Sequence, residues 1–316
     1  VRRSASDIRV TAQLLNGGDG THLWAESYNR DLSAGSVFDI QDEITEAIVG
    51  VIAGVHGVIS RAAAVAARQR PDSLDAYDCV LLSYAYDRQG SAESFRSAKN
   101  CLDKVLIREP DYVAALSAFT LVAADGYGMG WDLAEDERKI LLEKALATGQ
   151  RAIALAPDDA QSHWSLAYAE YVGGDVDNFH AHAERALALN PNNADVMRYA
   201  GVLMAFSGDY ERGLELIEKG MARNPHHPGW WHLGSVSALW STGRNAEALI
   251  AVRKVDQPDN FWRHIWRAIL AGETEDLIPP PPRSQIWSAF IRASQFLPTT
   301  MRSPIGMSHR ISSSAR

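Results

Sequence analysis

The amino-acid sequence predicts a mostly α-helical protein, an α-solenoid of stacked helical hairpins that follows a β-hairpin and one long helix. Three observations lead to this fold class. Apolar residues alternate with polar residues near the N-terminus, and further along they recur at helical spacing. In the middle of the chain, prolines recur at spacings of 47, 34, 34 and 33 residues, at Pro110, Pro157, Pro191, Pro225 and Pro258. A constant period of this kind is the sequence sign of stacked structural repeats.

The β-hairpin is predicted within residues 1–35. From Ile8 to Leu14 every second residue is apolar, which is typical of a strand with one buried face. The glycine-rich segment 16–20 predicts a turn, because glycine accepts the positive φ that short hairpin turns need. Residues 22–29 then predict the returning strand.

The long helix is predicted over residues 36–70. Ser36, followed three residues later by Asp39, matches a helix N-cap, and isoleucines such as Ile40 and Ile44 follow at helical spacing. Pro71 ends the helix. Because two strands alone are marginally stable in water, we expect this helix to cover the apolar face of the hairpin.

The repeat array is predicted over residues 73–271, with about five and a half hairpins. In the unit that follows Pro191, the small pair Ala200–Gly201 marks the close approach of two helices, and Gly208 marks the turn between them. The two earliest units carry extra residues, and 261–271 predicts the first helix of a sixth unit. A period of 34 with this pattern resembles the tetratricopeptide-repeat family.

The segment 272–316 departs from the repeat pattern. Residues 277–316 hold five arginines and no acidic residue, and they are rich in proline and serine. Such a composition buries little core, so we expect a disordered tail. The alternative is that a frame change cut the sixth repeat short.

Composition and charge exclude several classes of protein. The 316 residues allow roughly two domains, and 46% apolar with 22% charged residues is ordinary for a globular chain. The formal net charge of −8 provides no field that attracts a polyanion, so no nucleic-acid partner is expected. The longest uncharged apolar run, 47–60, is shorter than the ~20 residues that cross a bilayer, so no membrane span is expected.

The N-terminal residues and the two cysteines predict a cytoplasmic part of a longer protein. The chain begins at Val1 without a secretory signal pattern, and we expect it to be part of a longer protein. Cys79 and Cys101 are too few for a disulfide framework and too far apart for a zinc knuckle. We therefore expect two buried thiols in a reducing compartment.

A groove along the first helices is the candidate binding site, since stacked repeats leave such a groove and use it for binding. Its predicted residues form an apolar and aromatic stripe with one cation, which suits a protein or peptide partner. The competing interpretation is that a stripe at helical spacing is core packing. The stripe consists of Trp164, Tyr168, Tyr171, Arg198, Val202, Phe206, His232, Val236 and Trp240.

No catalytic, cofactor or metal site is expected. His180 and His182 lie two apart on a helix and point in different directions, and His226, His227 and His232 lack a nearby cysteine or paired carboxylate. No phosphate loop or nucleophile elbow is present. A carboxylate clamp is also not expected, because the matching positions are Gln161, Trp164, Tyr168, Asp195, Arg198 and Val202.

The order of motifs carries a wider resemblance, over residues 1 to about 271. The motifs are Arg9–Leu14, His22–Glu26, Tyr28–Asp31, Gln41–Ile44, Ala76–Cys79, Asn224–Trp230 and Phe261–Trp262. This order resembles the end of a TolB-like α/β domain followed by tetratricopeptide repeats. The pair is found in the C-terminal region of bacterial class III adenylate/guanylate cyclases and of some winged-helix transcriptional regulators.

The resemblance implies a regulatory and protein-interaction region of a bacterial signalling protein, most simply of the cyclase type. The catalytic domain of such a cyclase lies upstream, so the chain itself is not expected to be an enzyme. Residues 1–35 would be the remnant of a truncated α/β domain, poorly held and with apolar residues such as Ile8, Val10, Leu14 and Trp24 partly exposed. The alternatives are the sensory region of a winged-helix regulator and a truncated fragment with a structural role.

Overall fold

The chain forms a small N-terminal sheet and an array of helical hairpins. The structure is a computed structural model, and it describes residues 1–4, 6–15, 17, 20–32, 40–41, 44–45, 48, 75–224, 227–256 and 261–274. The rest of the predicted long helix and of the predicted tail lies outside these residues. None of the helices described there is long and apolar enough to cross a membrane.

The sheet is antiparallel and has three strands, β1 (Arg2–Arg3), β2 (Asp7–Leu15) and β3 (His22–Asp31), with β2 in the centre. The two long strands are those that the alternation over residues 8–14 and the glycine-rich turn predict. The short strand β1 was not predicted, because two residues are too few to show a period. Val10 and Trp24 pack, partly exposed, in one cluster with the buried Tyr28, Ile40 and Ile44, so the start of segment 36–70 lies on the apolar face of the sheet.

Eleven α-helices follow within the described residues, and consecutive helices pair into hairpins. They are α1 (Ala76–Gln89), α2 (Ala92–Arg108), α3 (Val113–Met129), α4 (Glu135–Leu155), α5 (Ala160–Gly173), α6 (Val176–Leu189), α7 (Ala194–Phe206), α8 (Tyr210–Arg223), α9 (His232–Ser241), α10 (Asn245–Arg253) and α11 (Phe261–Thr274). A short 3₁₀ turn, Gly229–Trp231, precedes α9. We number the hairpins 1 to 5 from α1/α2 to α9/α10; α11 packs on hairpin 5 as a half repeat.

Polar side chains fix where the helices begin. In four of the helices in hairpins 3 and 4, the residue before the helix accepts a hydrogen bond from a backbone N–H of the first turn. This bond satisfies a donor that the helix itself leaves unpaired. The four capping residues are Asp159, Asp175, Asn193 and Asp209. Each of them closely follows a repeat proline or an intrahairpin glycine, which is why the sequence period predicts the helix starts so well.

The extra residues of hairpins 1 and 2 lengthen their helices. Only two residues separate α1 from α2, but α2 and α3 have 17 residues each and α4 has 21, against 14 in α5 and α6. Gly126, which lies among the extra residues that the sequence shows in the second unit, is inside α3. A Cβ there would lie 2.5 Å from the Phe95 ring, so this glycine lets hairpin 1 pack closely on hairpin 2.

The prediction of two free thiols is wrong for this structure. Cys79 in α1 and Cys101 in α2 form a disulfide, with their Cα atoms 5.4 Å apart. The physical reason is the tight turn at Gly90. Both cysteines are the same number of residues from this glycine, and in two antiparallel helices such positions face each other.

Candidate protein-interaction surface

The first helices of the hairpins form the inner side of a curved array. The hydroxyl of Tyr199 in α7 donates to the carboxylate of Asp87 in α1, with distances of 3.2 and 3.4 Å to its two oxygens. These residues belong to hairpins 4 and 1. A contact over three hairpins requires that the array curves towards this side. We call the surface formed by Asp87, Asp125, Trp164, Tyr168, Arg198 and Tyr199 the inner face.

Asp125 in α3 is the polar centre of the inner face. One of its oxygens accepts a hydrogen bond from the Tyr86 hydroxyl of α1, and the other accepts one from the Tyr168 hydroxyl of α5, at 2.8 Å. The indole N–H of Trp131 donates in turn to the Tyr86 oxygen at 2.7 Å. A single carboxylate therefore joins hairpins 1, 2 and 3.

The protein environment raises the pKa values of two carboxylates on the inner face, Asp125 and Asp87. Burial raises the pKa of Asp125, although its two tyrosine donors favour the charged form. Burial also raises the pKa of Asp87 to about 6, where nearby Asp195 and Asp125 add to the rise and Arg198 opposes it. The side chain of Asp87 keeps contact with solvent. The inner face is thus acidic, and its carboxylates gain a proton more readily than ordinary aspartates.

A row of aromatic rings connects the tyrosines that bind these two carboxylates. The ring of Trp164 lies 6.3 Å from Tyr168 on one side and 6.3 Å from Tyr199 on the other. The guanidinium of Arg198 stacks on Tyr199, 3.5 Å from the ring centre, and Trp230 lies within 4.7 Å of the same cation. Such cation–π contacts stabilise a cation that is largely removed from water.

The nine residues predicted from the sequence do not form one exposed stripe. The structure brings Trp164, Tyr168 and Arg198 together on the inner face, but Trp164 is only 5% exposed, Arg198 4% and Val236 0%. Trp164, Arg198 and Val236 are therefore buried against other side chains of the array and offer little surface to a partner.

Two further members of the predicted stripe contact neighbouring helices. Tyr171 lies edge-on against Phe179 of its own hairpin, and Trp240 lies edge-on against Trp266 of α11. Tyr168, Val202, Phe206 and His232 keep partial exposure. Burial lowers the pKa of His232 to about 4, so this side chain is neutral at pH 7.

Four residues of this network were not predicted from the sequence: Tyr86, Asp87, Asp125 and Tyr199. The sequence did contain a sign of the two carboxylates, because Asp87 and Asp125 both lie near the ends of the first helices of their hairpins. A charged residue on a helix is usually solvated, however, so this position alone does not predict a binding surface. Only the curvature of the array brings the carboxylates to the tyrosines of later hairpins.

The histidines of hairpin 3 bind protein groups. His182 contacts Glu170 at 2.8 Å, and burial raises the pKa of this carboxyl while the histidine opposes the rise. His180 contacts the Ser207 hydroxyl at 3.1 Å, and His163 contacts the Pro157 carbonyl at 2.9 Å. No group of three or more histidine, cysteine or acidic side chains in the described part of the chain is arranged to hold a metal ion.

Comparison with known proteins agrees with the architecture. Residues 141–194, from α4 to the start of α7, match the model of the tetratricopeptide-repeat family. A curated relative, "Putative adenylate cyclase 3" of Rhizobium meliloti (strain 1021), is 33% identical over 171 residues. This match covers 54% of the chain but only 28% of the relative, so the chain corresponds to about a quarter of that protein's length.

Solved structures resemble the chain in fold. Human IFIT1, crystallised as a dimer with m7Gppp-AAAA, has a TM-score of 0.54 at 16% identity, and the match covers 81% of this chain and 63% of that one. TTC0263, a thermophilic TPR protein of Thermus thermophilus, has a TM-score of 0.47 at 18% identity, over 62% of this chain and 97% of that one. The predicted fold class, a tetratricopeptide solenoid behind a β-hairpin, is confirmed.

Proposed function

We propose that the helical array is the protein- or peptide-interaction and regulatory region of a bacterial signalling protein of the adenylate/guanylate cyclase type. The inner face carries this proposal, because it gathers partly exposed aromatic side chains and carboxylates from hairpins 1 to 4 on one surface. Rings with few rotatable bonds, next to polar groups that can orient a partner, are typical of binding hot spots.

The relative supports the signalling part of the proposal. It is named as an adenylate cyclase, and it resembles this chain over 171 residues. In this proposal the N-terminal sheet is the end of a TolB-like domain, the protein acts in the cytoplasm, and cyclase catalysis belongs to a region outside these 316 residues. In this proposal the chain itself binds a signal or a partner protein, and it does not catalyse the cyclase reaction.

The structure narrows the residues that we propose for docking. Six members of the predicted stripe are partly exposed, and two of them, Tyr171 and Trp240, lie edge-on against neighbouring rings. The other four, which we propose for docking together with Tyr199, are Tyr168, Val202, Phe206 and His232. Trp164, Arg198 and Val236 are buried, and we do not include them among the docking residues. Because Asp87 is influenced by the carboxylates of Asp195 and Asp125 and by one guanidinium, that of Arg198, acidic groups outnumber basic ones here, and we expect a basic or neutral partner segment to bind better than an acidic one.

Site-specific photocrosslinking tests the docking proposal. A photoreactive phenylalanine analogue replaces Tyr199, which is partly exposed on the inner face, or, as the control, Ile250, which is exposed on the second helix of hairpin 5. The full chain carries the probe in bacterial cells. We expect a discrete protein adduct from position 199 that is weakened by Tyr168→Asp, and none from position 250. Equal adducts at both positions, or none at 199, would contradict an inner-face docking site.

A second assay tests the absence of catalysis. The purified chain is incubated with ATP or GTP and Mg²⁺, and nucleotide products are separated by chromatography. We expect no cyclic nucleotide. Product formation that persists through purification would show that a catalytic site lies within these residues.

A further inference from the structure

The disulfide of hairpin 1 joins the only two cysteines of the sequence. Cys79 is buried in the core of hairpins 1 and 2, whereas Cys101 is packed at the edge of this core and is only partly buried. The core around them is apolar, with Phe95, Leu102 and Val105 fully buried. Two thiols fit such surroundings as well as a disulfide does, so hairpin 1 can exist in an oxidised and a reduced form.

The disulfide lies on the helix that supplies the first hairpin's contacts to the inner face. Tyr86 and Asp87 follow Cys79 by two helical turns on α1. Tyr86 donates to Asp125 of hairpin 2, and Asp87 accepts from Tyr199 of hairpin 4. Any loosening of α1 against α2 therefore reaches both contacts that join hairpin 1 to the inner face.

We propose that the Cys79–Cys101 pair is a thiol–disulfide switch that sets how firmly hairpin 1 closes the inner face. The reasoning has two steps. A covalent link between cysteines 22 residues apart removes conformational freedom from the opened hairpin and so disfavours its opening. In a solenoid each hairpin packs mainly on its neighbours, so a change in hairpin 1 acts on hairpin 2 and, through the Asp87–Tyr199 bond, on hairpin 4, without unfolding the array.

The exchange chemistry follows from the exposure of the two sulfurs. The Cys101 thiolate, the more accessible one, attacks the S–S bond of a small-molecule disulfide such as oxidised glutathione and releases one small thiolate. The Cys79 thiolate then attacks the Cys101 sulfur, which forms the protein disulfide and releases the second thiolate. Two protein thiols lose two electrons and two protons, and one small disulfide becomes two thiols.

The role of the pair also depends on the compartment. Structural disulfides are rare in the cytoplasm, where thiol systems keep cysteines reduced, and those that form there are usually transient or regulatory. If the proposed cytoplasmic location holds, the resting form of hairpin 1 is the reduced one, and oxidation tightens it. The switch itself rests on the two cysteines and does not need the proposed partner.

Hydrogen exchange of the full chain tests the switch. The protein is equilibrated in mixtures of reduced and oxidised glutathione, free thiols are counted with a maleimide mass tag, and amide exchange is measured by mass spectrometry. We expect both thiols to disappear together as oxidised glutathione increases. We also expect exchange in α1, α2 and around Tyr199 to be at least about tenfold faster in the reduced form, with α9 and α10 unchanged.

The matched control is the double variant Cys79→Ala, Cys101→Ala, which should exchange like the reduced form in every mixture. The native comparison needs no substitution, so it remains decisive if this variant folds poorly. The switch is wrong if the thiols stay free in oxidised glutathione, or if oxidised and reduced chains exchange alike in α1 and α2. Neither result bears on partner capture at the inner face, which the crosslinking experiment measures separately.

Discussion

At the scale of single residues, Asp125 shows how a carboxylate becomes part of the fold. It accepts hydrogen bonds from two tyrosines on two other hairpins, and burial raises its pKa. A buried carboxylate is tolerated only while its oxygens are hydrogen-bonded, so each tyrosine hydroxyl stabilises the array by more than its own bond.

Replacing Tyr168 by phenylalanine tests this view. The change removes one donor from Asp125 and keeps the ring, so we expect a loss of ~1–3 kcal/mol in the free energy of unfolding, measured by urea denaturation. Tyr171→Phe is the matched control, because the Tyr171 hydroxyl forms no hydrogen bond with the described residues, and it should cost less than ~0.5 kcal/mol. Equal losses in both variants would show that the Asp125 bond contributes nothing.

Asp87 predicts a pH dependence of stability. Its pKa rises from an ordinary 3.8 to about 6 on folding, so between these values the folded chain holds a proton that the unfolded chain has released. Its contribution to stability is therefore present at low pH and is lost as the pH rises through about 6. Asp87→Asn keeps an acceptor for Tyr199 and removes the titration.

Urea denaturation from about pH 4.5 to about pH 7.5 measures this effect. We expect the wild-type chain to lose more stability over this range than the Asp87→Asn variant. Identical slopes for the two chains would mean that Asp87 titrates alike in both states. Glu215, whose pKa is held at about 2 by Lys219 and Arg212, should act only at lower pH and leave this comparison untouched.

At the scale of elements, the small residues of the repeat decide how closely two helices approach. In hairpin 4 a Cβ at Gly201 would lie 2.5 Å from the Gly213 carbonyl oxygen, and a Cβ at Gly213 would lie 2.5 Å from the Gly201 carbonyl oxygen. Helices α7 and α8 thus touch through their backbones. The sequence predicts this approach from the Ala200–Gly201 pair.

Gly201→Ala should force these two backbones apart. We expect a loss of ~1–3 kcal/mol in the free energy of unfolding, because the methyl group overpacks the helix interface. Gly173→Ala is the matched control: its nearest neighbour would lie 3.6 Å away, and alanine favours a helix, so we expect no loss and a gain of up to ~1 kcal/mol. If Gly201→Ala melts like the wild type, α7 and α8 are less closely packed than described.

At the scale of the whole molecule, a local change in stability should spread mainly from one hairpin to the next. Leu166 of hairpin 3 is 2% exposed and lies against α4 of hairpin 2, where a Cβ at Gly149 would meet it at 3.1 Å. Leu166→Ala leaves a cavity at this interface and should cost ~2–5 kcal/mol. Hydrogen exchange should accelerate in hairpins 2 and 3 and stay unchanged in α9 and α10.

The control for this change is Ile140→Ala in α4, a side chain that is 64% exposed. It should alter the free energy of unfolding by less than ~0.5 kcal/mol. Accelerated exchange throughout the array after Leu166→Ala would mean that the chain unfolds as one cooperative unit, against the nearest-neighbour behaviour of a solenoid.

The sequence by itself determined the local structure. The prolines, the glycine turns and the capping residues act within a few positions of themselves, so the hairpins, their order and the two long strands could be predicted. The apolar and aromatic stripe could also be predicted, but not which of its members are covered. Trp164 and Val236 fit the helical spacing of the stripe as well as Tyr168 does, yet they are buried and Tyr168 is partly exposed. Periodicity alone does not distinguish a buried residue from a partly exposed one.

Only the tertiary structure decided which residues meet across hairpins. The Asp87–Tyr199 and Asp125–Tyr168 bonds depend on the curvature of the array, and curvature is the sum of small rotations between hairpins that no local pattern encodes. The Cys79–Cys101 bond depends on the register of two helices about Gly90. Local rules set each hairpin, and the packing of hairpins on one another created the inner face.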